Sequence, residues 1–221
     1  MTRRSYAQWC AIAESLDLLG ERWTLLVIRE LLIGPRRFSD LLGSLPGIGT
    51  GLLAERLKLL ESETVIRRRV LPPPAGSTVY ELTDSGRELK PVLVALARWG
   101  ARWRLEIPTD AQSFSPDWVV LAAEALVDHD AVAGLTATYQ IEIDDQPFTL
   151  AIDAGAVHAL SGAAPVADAT LRMSRETLID LAAGQTTVEA ALVEGRLVAD
   201  GDEGALARLA DALPLPVVQR R

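Results

Sequence analysis

Residues 37–62 contain two short helical patterns separated by only a few residues, and this pairing restricts the fold more than any other feature of the chain. The first pattern is RFSDLLGSL, and the second is LLAERLKLLE, in which Leu53, Leu57 and Leu60 fall on one helix face. The residues between them, PGIG, suit the tight turn of a helix-turn-helix motif, which commonly contains glycine. We therefore predict that the leucines lock the second helix in place while its opposite face is turned to solvent.

A glycine-rich loop at a helix start can also hold the phosphates of a nucleotide. Gly47, Gly49 and Gly51 give G-x-G-x-G, whereas a dinucleotide-binding loop needs G-x-G-x-x-G directly after a buried strand. Here the preceding element is predicted to be a helix, and no G-x-x-x-x-G-K-[ST] sequence occurs in the chain. The sequence therefore favours the helix-turn-helix interpretation, and it predicts no cofactor.

The segments around this motif predict a winged helix-turn-helix domain. Helical patterns precede the motif at IAESLDLLG and RWTLLVIRELLIG, and the second is apolar almost all round, as expected of a buried helix. Two strand patterns follow it, VIRRRVL and TVYEL, separated by the loop PPPAGS. Thr83 is suited to cap a last helix, in which Pro91 should produce a kink or mark the effective start.

That last helix predicts a contact with a partner helix. Its apolar residues at close to heptad spacing are Leu89, Leu93, Leu96 and Trp103. A stripe of this length at the edge of a small domain exceeds what the domain's own core needs. We expect it to pack against a second copy of the chain.

Charge is divided unevenly between the two halves of the chain. Residues 1–104 contain 16 Lys and Arg against 11 Asp and Glu, a net charge of +5. Residues 105–221 contain 6 against 19, a net charge of −13. A basic half can bind a polyanion such as double-stranded DNA, which an acidic half would repel. The division predicts two domains with different partners, although related domains also drift in charge without any such cause.

The predicted DNA-binding surface combines the exposed face of the second motif helix with nearby basic side chains. On that helix the predicted contacts are Thr50, Gly51, Glu55, Arg56 and Lys58. Arg36 and Arg37 precede the first motif helix, and Arg68 belongs to a run of three arginines before the wing loop. Such cations can neutralise phosphates on both sides of a groove. The alternative is a helical hairpin whose charged face is merely solvated.

The first half of the chain also resembles a known family. WCAIAESLDLLGERW, RFSDLLGSLPGI, LLAERLKLLES and YELTDSGRELKPVLVALARWG follow one another as in the HxlR family of bacterial winged-helix transcription regulators. The resemblance covers about residues 9–103. It implies a homodimer, built on the terminal helices, that binds a pseudo-palindromic operator. It also implies DNA contacts by Arg56 and Thr50, and family members often carry Ser where Gly49 stands.

Periodicity lapses around IPTDAQSFSPD, and a second set of patterns begins after it. From WVVLAAEALVDH onward, the order is helix, four strands, two helices, strand and helix. We therefore predict an α+β chain with a winged helix-turn-helix domain at residues 1–107, a linker at 108–116 and a second domain at 117–221.

The second domain resembles the sterol-carrier-protein type-two fold, most clearly in DATLRMSRETLIDLAAG and VEGRLVADGD. The resemblance spans roughly residues 117–213, and it implies a β-sheet covered by helices that enclose an apolar tunnel. The candidate lining residues are Trp118, Tyr139, Phe148, Met173, Leu178 and Leu181. Packing in the core is the alternative role for each of them.

The second domain shows no set of residues arranged for catalysis. Its two histidines, His129 and His158, lie apart and have no cysteine nearby, and no G-x-S-x-G sequence is present. Asp144 and Asp145 fall in a predicted hairpin turn, where aspartates hydrogen-bond the backbone. We therefore predict neither an enzyme nor a metal site.

Cys10 is the only cysteine, which excludes an intramolecular disulfide and suits a reducing cytoplasm. It matches the position of a cysteine that some HxlR-family members use for redox or electrophile sensing. Arg3 and Arg4 would lower the pKa of its thiol if they lie nearby, whereas a buried cysteine would be inert.

No apolar run is long enough to cross a bilayer, and the N-terminus lacks the apolar core of a signal peptide. We expect a cytoplasmic protein.

These patterns predict a dimeric, operator-binding repressor that responds to an apolar small molecule held by the second domain. Two alternatives remain open. In one, Cys10 senses oxidants or electrophiles. In the other, the second domain is a lipid carrier or a module that processes a small molecule, and a domain without a cavity would serve only for oligomerisation.

Overall fold

The computed structural model describes residues 5–74, 76–106, 108 and 114–213. Contacts divide the chain into two units, Met1–Leu93 and Val94–Arg221. Most of the linker predicted at 108–116 lies outside the described residues, and the predicted domain boundaries stay a prediction. No helix in the described ranges is long and apolar enough to cross a membrane.

The first unit has the order of elements predicted for a winged helix domain. Its helices and strands are α1 (Ala11–Leu19), α2 (Thr24–Ile33), α3 (Phe38–Ser44), α4 (Thr50–Ser62), β1 (Ile66–Val70), β2 (Thr78–Leu82) and α5 (Asp84–Arg87). The next helix, α6 (Lys90–Trp103), begins in this unit. The side chain of Thr83 accepts a hydrogen bond from the Gly86 N–H, which confirms the predicted cap. Pro91 is the second residue of α6 and marks its start, where a missing N–H costs nothing.

The core of the first unit is built by apolar residues at helical spacing. Val27 and Ile28 of α2, Leu41 of α3, and Leu53 and Leu60 of α4 have no accessible surface. Removal of such side chains from water is the main force that holds a small domain together. The buried helix α2 and the leucine face of α4 are thus confirmed.

The second unit is a five-stranded sheet with helices packed on it. Its described elements are α7 (Asp117–Leu126), β3 (Ala137–Ile143), β4 (Gln146–Asp153), β5 (Ala156–Ser161), β6 (Ala169–Met173), α8 (Arg175–Ala182), α9 (Val188–Val193), β7 (Leu197–Gly201) and α10 (Glu203–Ala212). The strand order is β5-β4-β3-β6-β7, and only the β3–β6 pair is parallel. Buried residues alternate along β3, so one face of the sheet forms the core. The predicted α+β class is confirmed.

The β3–β4 hairpin turns at Asp144 and Asp145, which have φ angles of 50° and 62°. Aspartate tolerates this left-handed region better than most residues. The Asp144 Oδ1 also accepts a hydrogen bond from the Arg175 backbone N–H at 2.9 Å, at the start of α8. Asp144 therefore serves the backbone, as the sequence predicted, and Asp145 occupies the second left-handed position of the turn.

Candidate nucleic-acid interface and ligand site

The second helix of the motif, α4, presents one side to solvent. Thr50, Gly51, Glu55 and Lys58 are exposed, opposite the buried leucines. The N-cap, Gly49, has no side chain to accept a hydrogen bond from the first turn. The N-terminal half of α4 is therefore accessible, as it must be in a helix that enters the major groove of DNA.

Arg56 does not lie on this exposed side, and the sequence prediction of its placement is wrong. Only 7% of the residue is accessible. Its Nη2 lies 2.9 Å from the Glu21 Oε2, and its Nε donates to the Arg22 carbonyl at 3.3 Å. Because Arg56 follows Leu53 by three residues, its side chain leaves the helix beside the buried leucines. Arg56 therefore joins α4 to the corner between α1 and α2.

The same corner also contacts the turn of the helix-turn-helix. Gly47 has a φ of 95°, a backbone conformation that a residue with a side chain rarely adopts. A Cβ at this position would lie 3.6 Å from the indole ring of Trp23. The turn between α3 and α4 is therefore held by backbone geometry and by packing against Trp23.

Arg36 and Arg37 directly precede α3 in the chain. Arg37 is exposed at the N-cap of α3, and its backbone N–H donates to the Asp40 side chain at 3.0 Å. Arg36 is half-buried and forms a two-way backbone bridge with Tyr80 of β2, with N···O distances of 3.0 and 2.8 Å. Arg37 is thus the more accessible cation of the two.

Arg68 is exposed, as expected of a phosphate contact. Its Nη2 lies 2.8 Å from the Glu61 Oε2 at the end of α4, and its guanidinium lies 5.5 Å from the Tyr80 ring centroid. These contacts restrict the side chain while leaving about half of it accessible.

Arg67 and Arg69 share the carboxylate of Glu81, which is not among the predicted site residues. The Glu81 Oε1 accepts from the Arg67 Nε at 2.8 Å, and its Oε2 accepts from the Arg69 Nε at 2.7 Å. The Arg67 hydrogen bond, followed by that of Arg69, holds the pKa of the Glu81 carboxyl below its usual range. The signal was present in the sequence, because an acid in the returning strand of a short hairpin lies across from the arginine run.

The six candidate tunnel residues do not surround one cavity. Tyr139 has no accessible surface, and its hydroxyl donates to the Ala205 carbonyl at 3.1 Å. Phe148 and Leu181 are also buried, in separate apolar clusters. Tyr139 therefore lies in the packed core, the alternative role that the sequence left open. Trp118, Met173 and Leu178 are half-buried.

The second unit has a small open pocket at the start of α7. Its volume is about 150 Å³, and its lining includes Val120, Phe148, Pro147 and Ser161. The Ser161 hydroxyl donates to the Asp117 Oδ1 at 3.0 Å across its edge. The pocket is open to solvent, and Asp117 and Gln146 also line it, so it is a recess of mixed polarity and not an enclosed apolar cavity.

A wider and more open cleft of about 360 Å³ lies beside β6 and β7 and has mostly charged walls. Arg172 in this cleft is paired with Glu142 at 2.9 Å and with Asp200 at 2.7 Å. Met173 is its one member from the predicted tunnel set. Within the described ranges, no three His, Cys, Asp or Glu side chains are grouped as a metal ion requires.

Cys10 is exposed at the N-cap of α1, so the alternative of a buried, inert thiol is wrong. The backbone N–H groups of Ala13 and then Ile12, in the first turn, lower the pKa of the thiol. Arg3 and Arg4 lie outside the described residues.

Two helices expose apolar faces. Before and along α1 these residues are Tyr6, Trp9, Ile12 and Leu16; along α6 they are Val92, Leu96, Trp99 and Trp103. The predicted stripe on α6 is therefore only partly correct, because Leu93 packs into the core of its own unit, with Leu89 partly buried against it. Exposed apolar faces of this extent are typical of surfaces that contact another molecule.

Two protein-family models match the chain: residues 18–107 match the HxlR-like helix-turn-helix model, and residues 119–214 match the SCP-2 sterol transfer family. An HTH-type transcriptional regulator of Synechocystis sp. is 44% identical over 94 residues, which are 42% of this chain and 70% of that protein. YodB, an HTH-type transcriptional regulator of Bacillus subtilis, is 40% identical over 91 residues, which are 41% of this chain and 81% of YodB. The solved structure of reduced YodB is 37% identical, with a TM-score of 0.39, and the match covers 44% of this chain and 96% of that one.

A helix-turn-helix followed by a β-hairpin, with the second helix exposed, defines a winged-helix DNA-binding protein. The alignments with two such regulators extend over more than two thirds of each relative. The chain belongs to the HxlR-like helix-turn-helix family of DNA-binding transcriptional regulators. Its second half is similar to the SCP-2 sterol transfer family, so both resemblances inferred from the sequence are confirmed.

Proposed function

We propose that the protein is a homodimeric repressor that binds a pseudo-palindromic operator and releases it when a small apolar molecule occupies the second domain. It acts in the cytoplasm, on the chromosome, and it catalyses no reaction. One observation carries the proposal: the leucine face of α4 is buried in the core, while its opposite side stays accessible. The accessible residues are Thr50, Gly51, Glu55 and Lys58. A helix held in this way can enter a major groove without rearrangement.

The dimer is supported by the exposed apolar faces of α1 and α6. Val92, Leu96, Trp99 and Trp103 recur at intervals of four, three and four residues, which places them on one side of α6. About half of each is accessible in the single chain. Burial of such a face against its own copy gives a two-fold assembly, which matches a palindromic operator.

The effector is supported by the SCP-2 similarity. The recess at the start of α7 is open and about half polar, and it has room only for a compact ligand. Such a ligand changes operator affinity only if it binds the DNA-bound and free arrangements of the dimer with different affinities.

Substitutions on the DNA-binding surface should separate phosphate contacts from base contacts. Arg37→Ala should weaken binding to the operator and to unrelated duplexes by a similar factor, and should reduce the salt slope by about one unit. Thr50→Ala should weaken only the operator complex, by roughly 1 kcal/mol. Fluorescence anisotropy at several salt concentrations measures both. Arg175→Ala, which removes a cation from the acidic unit, is the control and should change neither. Equal behaviour of all three variants would contradict the assignment.

Cys10 supports a second candidate, a thiol sensor, because it is exposed and its pKa is lowered. One titration of the operator complex separates the two candidates. Compact apolar compounds should release DNA equally from the wild type and from Cys10→Ser, whereas a thiol-directed electrophile would release it only from the wild type. Release by electrophiles alone would favour the thiol sensor, and release by neither would contradict both.

A further inference from the structure

The wing hairpin carries two arginines tied to one buried acid. Side chains alternate along a strand, so Arg67 and Arg69 leave the same face of β1, and Arg68 leaves the other. Glu81 of β2 is the direct partner of Arg67 in the antiparallel register. Its side chain is only 9% accessible, whereas those of Arg67 and Arg69 are 62% and 45% accessible. The acid therefore lies beneath two cations that reach into solvent.

The geometry of the three groups leaves the outer edge of each guanidinium available. Each carboxylate oxygen of Glu81 accepts from one Nε atom, at 2.8 Å for Arg67 and 2.7 Å for Arg69. Among the described residues, the structure gives neither guanidinium another hydrogen-bond partner. The Nη1 and Nη2 groups, which form the edge that binds a phosphate in a bidentate manner, thus stay accessible on both arginines.

We propose that Glu81 is a positioning residue that holds Arg67 and Arg69 as one preorganised phosphate-binding unit of the wing. This role rests on the proposed binding of DNA. The carboxylate fixes two long side chains before DNA arrives, so less rotational freedom is lost in the complex. It also lowers the net charge of the group from +2 to +1, which by itself would weaken the attraction for a polyanion. Positioning of the arginines should raise the affinity for DNA, whereas the lower net charge should reduce it, so substitution of Glu81 can show which effect is larger.

The experiment measures the binding of the full chain to a duplex of arbitrary sequence at low salt. Glu81→Gln removes the negative charge and should nevertheless weaken binding about fivefold or more. Glu61→Gln adds the same charge but affects only Arg68, which the Tyr80 ring still holds, so it should leave binding unchanged or tighter. Glu81→Asp keeps the charge but withdraws the carboxylate by one methylene, so it should weaken binding as well.

A second measurement separates positioning from a general effect on the fold. In the Arg67→Ala/Arg69→Ala background, Glu81→Gln should no longer weaken binding, because the groups that it positions are gone. An equal loss in both backgrounds would show a structural role and overturn the proposal. If Glu81→Gln bound the duplex as tightly as the wild type or more tightly, the positioning role would also be overturned, while the DNA-binding function would remain intact. A wild-type chain that bound no duplex at all would instead refute the proposed function, and this role with it.

Discussion

Replacing Arg56 by alanine should loosen α4 and weaken operator binding together. The substitution leaves the Arg22 carbonyl without its donor and removes the ion pair with Glu21. Loss of hydrogen bonds that involve a charged group costs about 2 kcal/mol. Amide hydrogen exchange across residues 50–62 should accelerate about 30-fold, since each 1.4 kcal/mol corresponds to a factor of ten. Operator affinity should fall about tenfold or more, because the exposed side of α4 loses its fixed orientation.

Two variants make this expectation specific. Glu21→Gln keeps a hydrogen-bond acceptor near the guanidinium and should have a clearly smaller effect on exchange. Lys58→Ala lies on the exposed side and should weaken DNA binding without changing exchange in α4. If Arg56→Ala behaved like Lys58→Ala, with normal exchange and weak binding, then Arg56 would be a direct DNA contact and the positioning role would be refuted.

Replacing Leu96 by glutamate should convert the dimer into monomers. In a two-fold interface one substitution places a carboxylate at two equivalent positions, and burial of an unpaired charge costs several kcal/mol. Sedimentation at micromolar concentration should show a dimer for the wild type and a monomer for the variant. Operator affinity should fall about a hundredfold or more, because the two half-sites are no longer bound by one molecule.

Leu160→Glu is the matched control. Leu160 lies on β5 in the second unit and is 59% accessible, compared with 55% for Leu96. It should therefore tolerate the same substitution without a change in assembly or in DNA binding. A monomeric wild type, or a Leu96→Glu variant that remains dimeric, would contradict the placement of the interface on α6.

Elements formed by local patterns were predictable from the sequence. The period of α4, the alternation along β3 and the cap at Thr83 each depend on residues within a few positions of one another. Helical spacing also contained the information about Arg56, since position 56 follows Leu53 by three residues. The prediction failed because an arginine on a helix is usually exposed, whereas this one is buried and paired with Glu21. Its partner Glu21 lies 35 residues away in the chain, and no local pattern indicates such a pairing.

The second unit shows a different limit of prediction. Alternation predicts which side chains of a strand point inward, as Tyr139 does on β3. It does not predict whether the space that they enter is empty or filled, because this depends on how closely distant helices approach the sheet. Here α10 lies near enough for the Tyr139 hydroxyl to reach the Ala205 carbonyl. Tyr139 and Phe148 belong to one apolar cluster, against which Met173 and Leu178 pack, and Leu181 belongs to another.

The groups that fix α4 in place are not the groups on its exposed side. Its seating depends on the buried leucines, on Arg56 and on the turn at Gly47, whereas Thr50, Glu55 and Lys58 contribute little to the core. Substitutions at the exposed positions should therefore leave stability almost unchanged. Duplicated copies of such a gene can accumulate changes there and acquire new target sequences while the scaffold stays intact. Because the buried and the exposed residues of α4 have separate roles, related regulators can change their target sequences without passing through a variant that fails to fold.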